Sequence, residues 1–413
     1  MKRITAILLT LIMLAANAAA VCAEAEAPID LSAASAALLV NTDTGKTVLC
    51  MNEEKPVEAA GLVRLPALLT ICRAFDEGRL TCDMTVTVSS EAAAIRGTTA
   101  FLSPNERIKA EELLKASVML TAGDSIRALL QALYPSEAAE IEAIDLLLSG
   151  LGIAGIGENS MGKGRQFTVS ELAKVCTALS ESGSFKKYSS VYLDSLPHEA
   201  APTTELTNPN RLVRHYSGCF GLATGSVGSS EYAGAFIATR GTTTYLAVVT
   251  GLSDSASRFR LASDMLDYGF SAYRAITLDS EAISTPAVRV TGGTANTVEA
   301  VIEGSITALM PVTETKLVTE TELAETVEAP IEKGDRLGRI ILKNARGETV
   351  GEIPLAAASS VSKSAFSDRF LAVIAQWLHI NNGSAFQAEP HEAIVSQQIV
   401  RIYLDPPEAF HVI

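Results

Sequence analysis

The sequence predicts an α/β domain followed by a smaller β domain. Short apolar segments on either side of the turn at 41–46 indicate an opening β-hairpin. Longer apolar segments with helical spacing follow at 62–75 and 113–133. From about residue 276 to 360 the chain consists of short alternating segments rich in Val, Thr, Glu and Gly, which is typical of a small β-sandwich. A chain of 413 residues is long enough for two or three domains.

Composition and the N-terminus limit the partners and the compartment. The chain is 48% hydrophobic with a net charge of −14, which argues against a nucleic-acid partner. Lys2 and Arg3 precede an apolar run at 4–14 and then small residues, so residues 1–23 are predicted to be a secretory signal peptide. A retained membrane anchor and a lipoprotein modified at Cys22 are the alternatives.

The cysteines and histidines give no sign of a metal centre. The histidines are scattered, and neither CxxC nor HExxH occurs, so neither a metal nor another cofactor is expected. Five cysteines follow the predicted signal peptide, and an odd number at low density favours buried free thiols. They are Cys50, Cys72, Cys82, Cys176 and Cys219.

The segment Ala59-Ala60-Gly61-Leu62-Val63-Arg64 leads into the first long helix. It resembles the active-site helix of the serine-type D-Ala-D-Ala carboxypeptidases, or low-molecular-weight penicillin-binding proteins, which read Pro-Ala-Ser-x-x-Lys there. In that family the Ser is acylated and the Lys takes its proton, and their spacing puts both on one helix face. Gly61 stands in place of the Ser and Arg64 in place of the Lys. Pro66 predicts a helix that starts late, near Arg64, or is bent.

A second landmark is the break at Thr121-Ala122-Gly123-Asp124 between two helical segments. It resembles the family's Ser-x-Asn motif, whose Ser relays protons and whose Asn amide holds the substrate backbone. Thr121 keeps a hydroxyl, whereas Gly123 has no amide. Asp124 is interpreted as a structural cap. Taken alone, these residues also fit a simple helix–helix loop.

A third landmark is Ala223-Thr224-Gly225. It resembles the family's Lys-Thr-Gly motif on the edge strand beside the nucleophile, whose Lys and Thr bind the substrate's terminal carboxylate. Thr224 and Gly225 are retained, and Ala223 replaces the Lys. Substrate binding is therefore assigned to Thr224, Gly225 and Thr121. Because Ala223 carries no charge, an amidated peptide is expected to bind as well as a free acid.

The C-terminal region also resembles the family. Ala329-Pro330 and the glycines that follow match its C-terminal β domain, and an apolar stripe from Phe366 to Ile380 predicts an amphipathic helix. The family ends in such a membrane anchor; a helix packed on its own protein is the alternative. The predicted segments are a signal peptide (1–23), a carboxypeptidase-like domain (24–275), a C-terminal β domain (276–360), an anchor helix (361–380) and a tail without an assigned role (381–413).

Two weaker signals lie between these landmarks. Gly157-x-x-x-x-Gly162-Lys163-Gly164 nearly spells a phosphate-binding P-loop, although it lacks the Ser or Thr that would ligate magnesium. The segment 168–179 predicts an amphipathic helix with Ser170 as a possible N-cap.

The resemblance implies an ancestral serine-type carboxypeptidase that acts on peptidoglycan stem peptides without a cofactor. The family's residues are replaced at positions 61, 64, 123 and 223. Counted as four independent losses, these changes favour a pseudoenzyme that binds wall peptides or a wall-synthesis partner. It is expected outside the cytoplasm, peripheral on the outer membrane face through 362–380. One alternative is an active carboxypeptidase with relocated groups among Ser117, Thr121 and Ser125, with Lys115 as the base. Another is a structural protein without a ligand, which a closed cleft would favour.

Overall fold

The computed structural model describes residues 28–229, 231–278, 287–302, 306–313, 318–344, 347, 349–364 and 397–398. The chain divides into two compact units, Met1–Phe270 and Ser271–Ile413. Within the described ranges, no helix combines the length and the apolar character needed to cross a membrane.

A five-stranded antiparallel sheet forms the centre of the first unit. Its order is β2-β1-β9-β8-β7, so strands from the start and the end of the unit lie side by side. The predicted opening hairpin is confirmed as β1 and β2 around the turn at 41–46. Two short antiparallel strand pairs, β3-β4 and β5-β6, are separate from this sheet. The strands are β1 (Ala36–Asn41), β2 (Thr47–Met51), β3 (Thr85–Thr87), β4 (Arg107–Lys109), β5 (Leu193–Leu196), β6 (Thr204–Thr207), β7 (Cys219–Val227), β8 (Glu231–Arg240) and β9 (Thr243–Leu252).

Several helices of this unit pack around one buried helix, α1. A 3₁₀ turn at Ala60–Arg64 precedes α1, and Pro66 lies in its first turn, where proline is tolerated. The predicted late start is therefore confirmed. The helices are α1 (Leu65–Asp76), α2 (Ser90–Ala93), α3 (Ala110–Leu120), α4 (Gly123–Leu133), α5 (Glu137–Gly150), α6 (Val169–Glu181), α7 (Gly183–Ser189), α8 (Leu212–His215) and α9 (Ser255–Ala272).

The core of the first unit fixes the position of α1. Most α1 side chains, from Leu65 to Phe75, are buried, and the helix packs against α4, α5, α6 and α7. Burial of a Leu or Ile side chain stabilises a fold by about 1.5–3 kcal/mol. The 3₁₀ turn that enters α1 is thus held firmly beside β7, which it also contacts.

Two local predictions about capping and thiols were wrong. Thr168, not Ser170, caps α6, because it forms a capping box with Glu171. Cys50 is disulfide-bonded rather than free, and Cys82 is a free thiol but is exposed. Cys72, Cys176 and Cys219 are free and buried, as expected.

The second unit is built from β-strands, which confirms the predicted β domain. A seven-stranded sheet has the order β15-β11-β12-β17-β16-β14-β18, and β10 pairs with β13 in a separate sheet. Its core contains Val288, Leu337, Ile340 and Leu355. The strands are β10 (Tyr273–Leu278), β11 (Ala287–Thr291), β12 (Thr297–Ile302), β13 (Ile306–Pro311), β14 (Val318–Leu323), β15 (Thr326–Glu328), β16 (Arg336–Lys343), β17 (Thr349–Ala357) and β18 (Gln397–Gln398).

Several predicted segments lie outside the described residues. These are the signal peptide at 1–23, the apolar stripe from Phe366 to Ile380, and the tail at 381–413 apart from β18.

Candidate functional site

An open cavity of about 900 Å³ lies in the first unit, between the 3₁₀ turn, the α3–α4 junction and β7. This volume is in the range of small-ligand pockets. Of the residues assigned to the site from sequence, the cavity brings together five; Ala223 and Gly123 do not line it. The five are Gly61, Arg64, Thr121, Thr224 and Gly225.

The 3₁₀ turn and β7 meet through two glycines. A Cβ atom on Gly225 would overlap the backbone of Gly61, so no larger residue fits at 225 unless the turn moves. Conversely, a Cβ on Gly61 would lie 3.4 Å from Thr224 O and 3.5 Å from Gly225 Cα, which is ordinary van der Waals contact. Residue 61 thus lies against the Thr-Gly pair, as the order of the motifs predicts.

Arg64 spans the gap between the 3₁₀ turn and two loops. Its Nη1 donates to Thr98 O at 3.2 Å and to Thr121 O at 3.1 Å, and its Nη2 donates to Arg96 O at 3.4 Å. Burial lowers the pKa of Arg64, and the charge of Asp124 opposes that shift. An arginine nevertheless stays protonated at neutral pH, so this group is a fixed cation and not a base.

Gly123 lies directly behind this guanidinium. A Cβ at 123 would come within 2.9 Å of Arg64 Nη1, 3.0 Å of Arg64 Cζ and 2.7 Å of Ile95 Cγ2. Real Cβ atoms essentially never approach other atoms below 3.0 Å. The changes at 64 and 123 are therefore not independent, which corrects the count of four separate losses.

The α3–α4 junction is shaped by its backbone. Thr121 ends α3 with a φ of 55°, and this places its carbonyl against Arg64. Asp124 is buried, but it does not cap its own helix, whose N-cap is Ala122. Its carboxylate instead accepts N–H groups of Ala100 (2.9 and 3.0 Å) and Leu102 (3.1 Å). The interpretation of Asp124 as a cap was wrong; it anchors the loop that follows the Gly97 and Thr98 wall of the cavity.

Ala223 is 5% exposed and packs in the core of the unit. Ala223 and Thr224 are neighbours on β7, so their side chains lie on opposite faces of the strand, and that of Thr224 is on the more open face. Ala223 is therefore not part of the cavity lining.

Sequence reasoning missed most of the positive charge in the cavity. Arg258 of α9 lines it and donates from Nη1 to Gly225 O at 2.8 Å. Lys163 and Arg165 also line the cavity, and they pair with Glu158 (3.2 Å) and Glu171 (2.8 Å). The signal was available as basic residues near each landmark, but their convergence depends on the fold.

The near P-loop at 157–164 has a different structure from a nucleotide-binding loop. Residues 153–166 contain neither strand nor helix, whereas a P-loop joins a strand to a helix. Gly162 packs closely against Val63, because a Cβ atom on Gly162 would lie only 2.7 Å from Val63 O. The segment therefore forms a wall of the cavity, and the P-loop alternative was wrong.

The residues proposed as relocated catalytic groups do not form a reactive pair. Ser117 is buried and donates to Leu113 O at 2.7 Å, and neither Ser117 nor Ser125 lines the cavity. Lys115 pairs with Glu112 (2.8 Å) and Asp194 (3.3 Å). Burial opposes these contacts, but the two acids raise the pKa of Lys115, so it is a poor proton acceptor. Within the described residues, no group of three or more potential ligands is placed to hold a metal ion.

Comparison with known proteins decides the family. The family model for D-alanyl-D-alanine carboxypeptidase, peptidase family S11, matches residues 16–254, which is more than half of the chain. The chain belongs to this family. A second model, the C-terminal domain of penicillin-binding protein 5, matches residues 281–363.

Individual relatives agree with this assignment. The D-alanyl-D-alanine carboxypeptidase DacF of Bacillus subtilis (strain 168) is 27% identical over 83% of this chain and 90% of its own length. Penicillin binding protein 5 from Haemophilus influenzae has the same fold, with a TM-score of 0.73 at 16% identity over 82% of this chain and 100% of that one. Penicillin binding protein 6B from Escherichia coli gives 0.62 at 20% identity over 79% and 96%.

Two predictions are thus confirmed: that this chain belongs to the D-alanyl-D-alanine carboxypeptidase family, and that its fold is an α/β domain followed by a β domain. The chain resembles enzymes of peptidoglycan metabolism, which act on stem peptides of the cell wall outside the cytoplasm. The assignment of Gly61, Arg64, Gly123 and Ala223 to the family's catalytic positions stays a prediction.

Proposed function

We propose that the protein is a pseudoenzyme that binds a peptidoglycan stem peptide or a wall-synthesis partner in the cavity described above. The observation that carries the proposal is that the cavity is open while the groups expected to act in it are missing. A structural protein without a ligand would be expected to have a closed cleft.

The chemistry of the lining supports loss of the reaction. Gly61 has no hydroxyl to attack a carbonyl, and Arg64 has no lone pair to accept a proton. Loss of the nucleophile or the base alone costs a serine hydrolase on the order of a millionfold in rate. A relocated site has no support in the contacts of Lys115, Ser117 and Ser125.

The lining still offers groups that hold a peptide. β7 is the last strand in the sheet order of the described residues, so an extended peptide can add to it through backbone hydrogen bonds. We assign peptide binding to Thr224 and Gly225 on β7 and to Thr121 across the cavity.

Intact-mass analysis after incubation with a labelled penicillin tests the proposal. We expect no covalent adduct on the unmodified protein, nor on Gly61→Ser, because that change supplies an oxygen but no base. A variant that combines Gly61→Ser, Arg64→Lys, Gly123→Asn and Ala223→Lys should acylate slowly. An adduct on any Ser or Thr of the unmodified protein would overturn the proposal.

We also propose that the protein is exported through residues 1–23 and contacts the outer face of the membrane through 362–380. The apolar stripe and the cations Lys363 and Arg369 suit a lipid–water interface. Flotation with anionic vesicles should recover the mature chain and lose a chain truncated after residue 361. Equal flotation of both would favour a helix that packs on its own protein.

A further inference from the structure

Arg64 is a partly buried cation without a carboxylate of its own. Its hydrogen bonds go to three backbone carbonyls, and no acid in the described part of the chain forms an ion pair with it. Asp124 acts on it through its charge, but that carboxylate is occupied by N–H groups of the 100–102 loop and of Ser125. A guanidinium has more N–H donors than these carbonyls use, so Arg64 can still donate to a ligand.

Gly123 leaves room for this cation at the cavity wall. A Cβ at 123 would lie within 3.0 Å of the guanidinium in the position from which Arg64 donates to Thr98 O and Thr121 O. Arg64 and Gly123 therefore act as one arrangement that fixes a positive charge beside the cavity.

Gly61 leaves free space on the same wall. A Cβ built there has two neighbours within 4 Å, at 3.4 and 3.5 Å, and both belong to β7. Because residues three apart in a 3₁₀ turn lie over each other, this space is on the side of the turn that carries Arg64. The wall thus combines a gap the size of a small side chain with a nearby cation.

We propose that the cavity binds a peptide that ends in a free carboxylate, with this carboxylate against Gly61 and facing Arg64. The inference rests on the proposed function, since it places the terminal carbon where the family's reacting carbonyl lies. A carboxylate is flat, carries an oxygen in place of the amide nitrogen, and needs a cation when water is removed. A carboxypeptidase leaves such a carboxylate at the carbon it attacks. The ligand class is therefore a peptide acid of the kind that such an enzyme produces.

This inference replaces the expectation that an acid and an amide bind equally. That expectation considered Ala223 alone. In the structure Arg64 and Arg258 both line the cavity, and both donate to backbone carbonyls. Among the described residues that line the cavity, Glu58 is the one with an acidic side chain.

Calorimetric titration of the mature chain with a matched pair of probes tests the inference. The probes are Nα-acetyl-Lys-D-Ala as the free acid and the same peptide as its C-terminal amide. We expect the acid to bind at least tenfold more tightly, and Arg64→Gln to reduce this preference to less than threefold. Lys187→Gln, which removes a cation outside the cavity, should leave the preference unchanged.

A second variant tests the space rather than the charge. Gly61→Ala keeps Arg64 and adds a methyl group that the structure accommodates, so it should fold and bind the acid at least fivefold more weakly. Equal binding of acid and amide by the unmodified chain would overturn the inference and leave the proposed function standing. Failure to bind either probe would overturn the inference together with the peptide-binding half of the proposed function, and would leave a wall-synthesis partner as the ligand.

Discussion

A buried arginine and a partly buried arginine in the first unit have opposite surroundings. Arg127 of α4 is 3% exposed and contacts three acids: Glu91 at 2.7 Å, Glu137 at 3.5 Å, and the buried Glu140. Arg64 contacts backbone carbonyls and no acid among the described residues. Arg127 is therefore the cation that stabilises the fold, and Arg64 is the one available to a ligand. Charges that balance within the protein need no ligand, whereas a desolvated cation without a carboxylate gains most from an anion that comes from outside.

The largest expected effect comes from removing the balanced cation. Arg127→Met should lower the free energy of unfolding by about 3–5 kcal/mol, because it leaves Glu140 buried without a cation. Arg64→Met should cost no more than about 1–2 kcal/mol, since it frees only carbonyl oxygens beside an open cavity. Urea unfolding followed by circular dichroism at 222 nm measures both.

The double variant Arg127→Met with Glu140→Met is the control for this comparison. It should recover part of the loss, because the uncompensated acid is then gone. Similar losses for the Arg64 and Arg127 variants would show that Arg64 is a structural cation, and the contrast between them would fail.

An intermediate effect is expected from adding a side chain behind Arg64. Gly123→Asn should destabilise the protein by about 1–3 kcal/mol through overpacking. In an Arg64→Ala background the same change should cost at least about 1 kcal/mol less. The contact with Ile95 is present in both backgrounds, so the difference in unfolding free energy isolates the contact with Arg64. Strict additivity would contradict the coupling.

The smallest effect is expected at an exposed cation of the same cavity. Lys163 pairs with Glu158 at 3.2 Å, and both side chains are largely in solvent. Lys163→Gln should change stability by no more than about 0.5 kcal/mol. Thermal melting in low and in high salt measures this, and a loss close to that of Arg127→Met would mean that exposure does not separate these cations.

The elements that the sequence predicted best are those that depend on local pattern. The opening hairpin, the late start of α1 with Pro66 in its first turn, and the break at Thr121 all follow from periodicity and turn residues. The proximity of Gly61 to Thr224 was also predictable, because motif order along the chain determines which elements meet once the family is known.

The rest depends on side-chain paths that sequence spacing does not specify. The contact of Arg64 with Gly123 joins residues from separate elements, and it exists only because a long side chain turns toward the α3–α4 junction. Asp124 reaches across to Ala100 rather than to its own helix, and Arg258 arrives from the last helix of the unit. These contacts join residues from distant parts of the chain. A comparison of the sequence with a motif, made one residue at a time, therefore treats the contacting residues as independent.

The contact between Arg64 and Gly123 also sets the order in which the site can change. While Arg64 is present, a side chain at 123 meets its guanidinium, so a return to an amide at 123 costs more before residue 64 has been replaced than after it. Replacement of Gly123 before Arg64 passes through a strained protein. The order of the two substitutions therefore matters: engineering or drift that starts at 123 meets a free-energy barrier that a start at 64 avoids.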